Sequence, residues 1–426
     1  MKISKSVAGS LQKAALTALL FSSQLAMSQT ELITASPESV AVSSQRLALI
    51  DSMLQQHVDD GRVPGLVAAV ARHGKIVFLK SYGWQDIENE IPMQANSIFQ
   101  IRSMSKPITA IAVLQLVEQG KIALTDPVAK YIPSFSNVRV FNNPSTMDFN
   151  DTRVPRRQIT IEDLLLNTAG LSHRFSALYR DNGVRSRGDT LEQLVDKVAA
   201  IPLIGDPGGQ WVYSISITVL GRIVEIASGM DFDVYLNANV FTPLTMNDTG
   251  FYVKPNQLDQ LAKAYRLREP GQPLELLPAM AIPITENPPL KEGAAGITST
   301  VPDYLRFMQS LLNKGELDGQ RILSAASVTS ATTNQIPVEL LPIGTNPNAP
   351  MLDRGWGYGI SVVVEASKSP YGVNNGEFAW GGSLGTQAWA DPETGMVVVI
   401  MLQIQPASAY DIANKFKAMV YQSVID

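Results

Sequence analysis

Apolar residues recur at helical spacing over residues 47–58, then form strand-like runs at 65–70 and 75–79 on either side of His73-Gly74. The pattern predicts a helix followed by a β-hairpin. Ile108, Ile111, Ala112, Leu114, Leu116 and Val117 return to the helical period and stop at Gly120, a residue type favoured just past helix ends. Residues 126–285 read as helical and loop-rich, with stripes at 160–166, 191–200 and 215–227 and a Thr160/Asp163 pair spaced as a capping box. Another helix starts at Thr300-Val301-Pro302-Asp303, where proline is tolerated in the first turn, and runs through Leu312. The last hundred residues are β-rich at 357–364, 387–390 and 396–402, turn at Pro392-Glu393-Thr394-Gly395, and close on an amphipathic helix at 409–424. Strands at both ends with helices between them predict the α/β class. A mixed sheet flanked by helices would be built from about 29–125 and 286–426, with an all-helical lobe at about 126–285. The expected site is the cleft between them. Residues 137–158 and 337–354 read as long surface loops.

The first 28 residues stand apart. Lys2, Lys5 and Lys13 lead into an apolar stretch at 14–21, and Ala26-Met27-Ser28 supplies small residues for cleavage. This is the layout of a secretory leader, too short to span a bilayer, so the mature chain is expected to be exported, periplasmic or secreted. Its loss moves the formal net charge from −5 to −8, which argues against nucleic acid or an anionic membrane surface as partner. With 45% hydrophobic and 17% charged residues, the whole chain has the composition of an ordinary globule with a sizeable core. Zero cysteines exclude disulfides, thiolate zinc sites and a thiol nucleophile. The three histidines, His57, His73 and His173, lack metal-ligand spacing and read as structural, with His173 expected near the mouth of the cleft. No motif calls for a metal or an organic cofactor.

Chemistry concentrates in Ser103-Met104-Ser105-Lys106, Tyr213-Ser214-Ile215 and Trp380-Gly381-Gly382. A serine hydroxyl needs a base within hydrogen-bond reach, and a lysine three residues on shares its helix face. Ser103 would attack and Lys106 would help take its proton. Ser10-x-x-Lys13 has the same spacing, but it lies in the leader. Ser103 instead opens the helix that runs to Gly120, where Pro107 is tolerable only near the start. The dipole and free amides of that N-terminus favour negative charge on an attacking oxygen or an oxyanion.

Together with Ile159 to Leu171, the stretch that contains Leu166-Asn167-Thr168-Ala169-Gly170-Leu171, and with Gly293-Ala294-Ala295-Gly296-Ile297-Thr298-Ser299-Thr300, these motifs resemble the serine β-lactamase-related superfamily from about residue 35 onward. The chain is most similar to the β-lactamase-like carboxylesterases called family VIII and to fungal acyltransferases of the same fold. The resemblance implies a β-lactamase/transpeptidase-like fold, with Ser103 as nucleophile, Lys106 as proton acceptor or relay, and Tyr213 as the group that passes a proton to the leaving group. The residues leave open which of Lys106 and Tyr213 is the base. The backbone N–H groups of Ser103 and of Ser383, expected on an edge strand, would form the oxyanion hole. Gly381 and Gly382 would let backbone approach the substrate.

Two departures bear on substrate. Ile215 stands where antibiotic-hydrolysing relatives usually have an asparagine, and Trp380 opens the motif that usually begins with lysine, removing the cation that would meet a substrate carboxylate. Both point toward neutral esters, with Trp380, Trp211, Phe175 and Tyr179 as candidate pocket aromatics. Gly381-Gly382-Ser383-Leu384-Gly385 matches a Gly-x-Ser-x-Gly elbow, but no histidine follows residue 173, so the chain order excludes that triad. Arg153, Arg156 and Arg157 read as a solvated basic face. The leading expectation is an exported serine hydrolase cleaving neutral short-chain carboxylic esters through a Ser103 acyl-enzyme, with a small-molecule ester as partner. The alternatives are an amidase, D-amino-acid peptidase or weak β-lactamase with the same machinery, and a non-catalytic cell-envelope binding protein.

Overall fold

In the computed structural model, residues 33–186, 188–278, 284–345 and 350–425 are described, so the leader read at 1–28 lies outside the described residues. The centre is an eight-stranded sheet, antiparallel throughout. In chain order its strands are β1 (Gly65–Arg72), β2 (Lys75–Asp86), β3 (Ile91–Pro92), β4 (Arg354–Trp356), β5 (Ser361–Val363), β6 (Phe378–Gly381), β7 (Gln387–Asp391) and β8 (Met396–Leu402). Their order across the sheet is β4-β5-β6-β7-β8-β1-β2-β3. β1 and β2 form the expected hairpin, and His73 and Gly74 carry it with φ of 52° and 74°, the left-handed pair a tight two-residue turn needs. The two ends of the chain meet where β1 pairs with β8, from Leu66↔Leu402 to Arg72↔Met396.

Every residue of β1 and β8 is buried, because both faces of the sheet are covered. Val67, Ala69, Ala71, Val397, Val399 and Met401 face one core, and Leu66, Ala68, Val70, Val398 and Ile400 face the other, as the two-residue period requires. Helices α1 (Ser44–Asp59) and α7 (Ile412–Ser423) close the second face. On the first lie α6 (Val301–Leu312) and α2 (Ser105–Glu118), the latter buried continuously from Ser105 to Leu116. A helix apolar all round belongs between layers, and α2 packs against the helical layer of α3 (Ile161–Leu166), α4 (Leu191–Ala199) and α5 (Ser216–Ser228). Both halves of the Thr160/Asp163 capping box form.

Of residues 357–364, read as β-rich, 361–363 form a strand and 357–360 the turn before it. Arg354–Trp356 and Ser361–Val363 are two paired strands joined by a turn, in which Gly359 takes φ 76°. The three arginines expected on a solvated face hold the 137–158 loop in place: Arg153 makes two 2.8 Å bonds to Asp206, Arg156 lies 3.3 Å from the same carboxylate, and Arg157 bonds Asp163 at 2.8 Å. Among the described residues no helix is long and apolar enough to cross a membrane.

Candidate active site

Ser103 sits in a 3-10 turn, Arg102–Met104, immediately before α2. Several bonds fix that turn. Ser105 Oγ donates to Arg102 O (2.7 Å) and accepts from Ile297 N–H (3.2 Å), while Tyr304 OH donates to Met104 O (2.9 Å). Arg102 itself is buried with φ 51°, a left-handed conformation that costs a non-glycine residue energy and persists because its surroundings enforce it.

One turn on, Lys106 is 2% exposed, and its Nζ donates to Ala294 O at 2.9 Å. The amine lies 4.5 Å from the centre of the Tyr213 ring. Burial holds the Lys106 pKa well below the ordinary lysine value, and the neighbouring Arg174 charge pushes the same way against the opposing effect of Glu292. Burial thus shifts the balance toward the uncharged amine relative to an exposed lysine.

Tyr213 comes from the segment before α5, and Asn167 clamps it from both sides. Val212 N–H donates to Asn167 O (2.9 Å), and Ser214 donates to Asn167 Oδ1 from its N–H (3.3 Å) and its Oγ (3.1 Å). Asn167 ends α3 with φ 58°, a conformation asparagine tolerates better than most residues. The Tyr213 hydroxyl accepts from Trp380 Nε1 at 3.2 Å and lines the same cleft as Ser103. Desolvation pushes its pKa up to about 12, against the lowering effects of Ser103, Trp380 and the Arg174 charge, so the phenol keeps its proton at neutral pH.

The third wall is the turn after β6. Gly382 N–H donates to Thr386 O (2.7 Å), and Thr386 Oγ1 donates to Ile101 O (3.1 Å), stapling this turn to the chain that leads into Ser103. A Cβ on Gly382 would lie 2.4 Å from Ile101 O and 2.3 Å from Thr386 Oγ1, so only glycine fits. β6 is not the edge strand that was expected, because β5 pairs with it; that pairing stops at Phe378 and Ala379. The hairpin made from the 354–363 segment extends the sheet beyond β6.

Ser103, Lys106, Tyr213, Trp380 and Ser383 line one cleft of about 430 Å³, with Gly381, Gly382 and Phe175 also in its walls. Two expected pocket aromatics are elsewhere. Tyr179 is 2% exposed and its hydroxyl accepts from Ser172 N–H at 3.2 Å, so it anchors the core. Trp211 stands behind the site, stacked on Tyr213 at 6.1 Å and edge-on to Trp356 at 5.5 Å. His173, read as structural, lines the cleft: its ring stacks on Tyr213 at 6.0 Å, and burial, then Arg174 and Lys106, depress its pKa.

Beneath Phe175 is an ion cluster that the sequence reading missed. Glu292 is 1% exposed and bonds Arg174 and Arg185 at 2.8 Å each, and both guanidiniums face the Phe175 ring, at 4.3 and 5.6 Å. Burial would raise the Glu292 pKa, but the two arginines outweigh it and lower the pKa to about 2. No spacing in the sequence announces this triad, whereas Asn167 stood inside a motif already quoted. Among the described residues no cluster of three or more His, Cys, Asp or Glu offers a metal site.

The family model described as Beta-lactamase matches residues 50–421. Protein Rv1367c of Mycobacterium tuberculosis is 33% identical over 368 residues, covering 84% of this chain and 90% of that protein. Esterase EstB of Burkholderia gladioli is 29% identical, with 83% and 89% covered. Among solved structures, EstCE1, described as a hydrolase with promiscuous acyltransferase activity, superposes with a TM-score of 0.77 at 26% identity, covering 88% of this chain and 99% of that one. The chain belongs to the beta-lactamase family and is similar to the β-lactamase-like carboxylesterases within it.

Proposed function

We propose that the protein is a serine esterase that hydrolyses neutral carboxylic esters through an acyl-enzyme on Ser103. The observation that carries this reading is the environment of Ser103: a buried amine of depressed pKa one helical turn away, and a protonated phenol lining the same cleft. Lys106 Nζ takes the Ser103 proton as Oγ attacks the ester carbonyl carbon. The tetrahedral oxyanion faces the N–H groups of Ser103 and Ser383. As the intermediate collapses, Tyr213 gives its proton to the departing alkoxide and regains one from the Lys106 ammonium. Water then attacks the acyl carbonyl and gives a proton to Lys106 Nζ, and as the second intermediate collapses the Ser103 Oγ–acyl bond breaks, Oγ takes that proton back and the acid leaves. This ordering assigns the base to Lys106 and the relay to Tyr213.

The walls favour neutral esters over penicillin-like anions. Ile215 is fully buried, the Lys106 amine is committed to Ala294 O, and the cationic Arg174 is committed to Glu292. Transfer of the acyl group to an alcohol in place of water uses the same intermediate, and the acyltransferase activity stated for EstCE1 favours that as a second reading. Export belongs to the proposal as well, supported by Lys2, Lys5 and the small residues at 26–28; N-terminal sequencing of the secreted fraction would find a start near residue 29.

Fluorophosphonate labelling with peptide mapping should place the adduct on Ser103 and lose it in Ser103→Ala. p-Nitrophenyl butyrate should turn over while nitrocefin and a D-Ala dipeptide do not. An adduct on Ser383 defeats the assignment of the nucleophile, and turnover of nitrocefin without ester turnover defeats the substrate class.

A further inference from the structure

The wall formed by Trp380 is shared. A second cavity of about 320 Å³ abuts the catalytic cleft, and Met351, Trp380 and Gly381 line both. The division follows from strand pairing: β7 stays bonded to β6 as far as Gly381, whereas β5 leaves it after Ala379. One edge of the Trp380-Gly381 backbone is thus without a neighbouring strand, and Gly381 puts no side chain there.

The second cavity lies on the outer layer of the molecule. Ala379 and Trp389 belong to the core beneath α1 and α7, and Asn414 and Lys417 reach the cavity from α7. Its charges are balanced from within. Lys417 Nζ donates to Glu377 at 2.8 Å and lies 4.6 Å from the centre of the Trp389 ring. Arg354 bonds Glu377 as well and is 3.7 Å from Asp353, and Tyr421 OH donates to Glu377 at 2.6 Å. Two cations thus meet two carboxylates, so a charged guest would find no uncompensated partner. The ring of Tyr371 remains for an apolar or planar group, and the amide of Gln387 for an oxygen function.

We propose that this cavity is a subsite for a second, uncharged arm of the ester. That arm carries an aromatic ring or an oxygen function and crosses the open edge of β6 at Trp380-Gly381. The inference rests on the esterase reading and extends it beyond short-chain esters to elongated ones. Uniform binding energy from an arm remote from the reacting carbonyl lowers KM and so raises kcat/KM, which gives such an extension a purpose.

The test compares p-nitrophenyl acetate with two elongated probes, p-nitrophenyl 6-phenoxyhexanoate on the acyl side and 6-phenoxyhexyl acetate, against ethyl acetate, on the alcohol side. Each is measured with the native chain, with Asn414→Trp, which fills the cavity, and with Tyr371→Ala, which removes an aromatic wall. One elongated probe should exceed its short counterpart in kcat/KM by about tenfold or more, mainly through KM, as added apolar contact in a pocket does. That advantage should shrink to within about threefold in at least one variant while p-nitrophenyl acetate turnover stays at the native rate. Equal kcat/KM for long and short esters, or an advantage kept in both variants, overturns the subsite and leaves the esterase reading intact. Failure of the native chain to turn over any of the esters overturns the esterase reading, and the subsite with it.

Discussion

The Lys106 amine rests 4.5 Å from the centre of the Tyr213 ring, while its hydrogen bond runs the other way, to Ala294 O. A lysine in this position meets an aromatic face, a backbone carbonyl and the field of Arg174, with little water to solvate an ammonium. Its low proton affinity and the high one of Tyr213, with a pKa of about 12, are set by one packing arrangement. The amine is thereby poised to accept a proton and the phenol to donate one.

The pH profile follows from these two shifts. kcat/KM should rise with pH through a limb well below the ordinary lysine pKa of about 10.4, as Lys106 becomes neutral. No loss from Tyr213 ionisation is expected below about pH 11, since its pKa lies near 12. A rising limb that belongs to Tyr213, absent from the residual activity of Tyr213→Phe, would reverse the two roles.

Lys106→Met should abolish ester turnover without lowering Tm. The folded pKa of Lys106 is below its unfolded value, so between the two the unfolded chain binds more protons and stability rises with pH. Thermal melts from pH 6 to 10 should show that rise in the native chain and a weaker one in the variant. Equal slopes would mean that the amine stays charged after folding.

Asn167→Gly keeps the left-handed backbone and the carbonyl that receives Val212 N–H, but it removes the acceptor for Ser214. We expect kcat to fall by roughly tenfold with KM little changed, because Tyr213 loses its clamp. Asn167→Ala should lose as much activity and, in addition, about 1 kcal/mol of stability from the left-handed conformation. Native kcat in the glycine variant would show that the clamp is dispensable.

Gly382→Ala forces the turn after β6 away from Ile101 and Thr386. Because that turn carries the Ser383 amide, kcat should drop by about a hundredfold, the usual size of losing one oxyanion donor. Stopped-flow measurement of the acylation burst would detect it, and a burst of native rate would remove Ser383 from the oxyanion hole.

Tyr179→Phe should leave kcat/KM unchanged while costing about 1–3 kcal/mol of stability, since the buried Ser172 N–H loses its acceptor. Urea unfolding beside ester kinetics separates the two effects, and a changed KM would return this ring to the pocket.

Local physics made part of this legible. A three-residue spacing on a helix puts Ser103 and Lys106 on one face whatever surrounds them, and two-residue alternation assigns each residue of β1 to one core or the other. The hairpin at His73-Gly74 and the cap at Thr160 were readable for the same reason, since each is complete within a few residues. Aromatics were not. Tyr179 and Phe175 are four residues apart and alike in size, yet one is 2% and the other 52% exposed, because the short helix Ala177–Asp181 turns Tyr179 into the core.

The sequence by itself determined the elements, their buried faces and the place of Ser103 at the start of a helix, because period, capping and turn chemistry act over a few residues. Only the tertiary structure decided that β6 would be an interior strand with a half-open edge, that Asn167 would hold Tyr213, and that Glu292 would bind two arginines beneath the cleft. Those outcomes join residues tens to hundreds of positions apart, and burial fixes them only once the layers have packed.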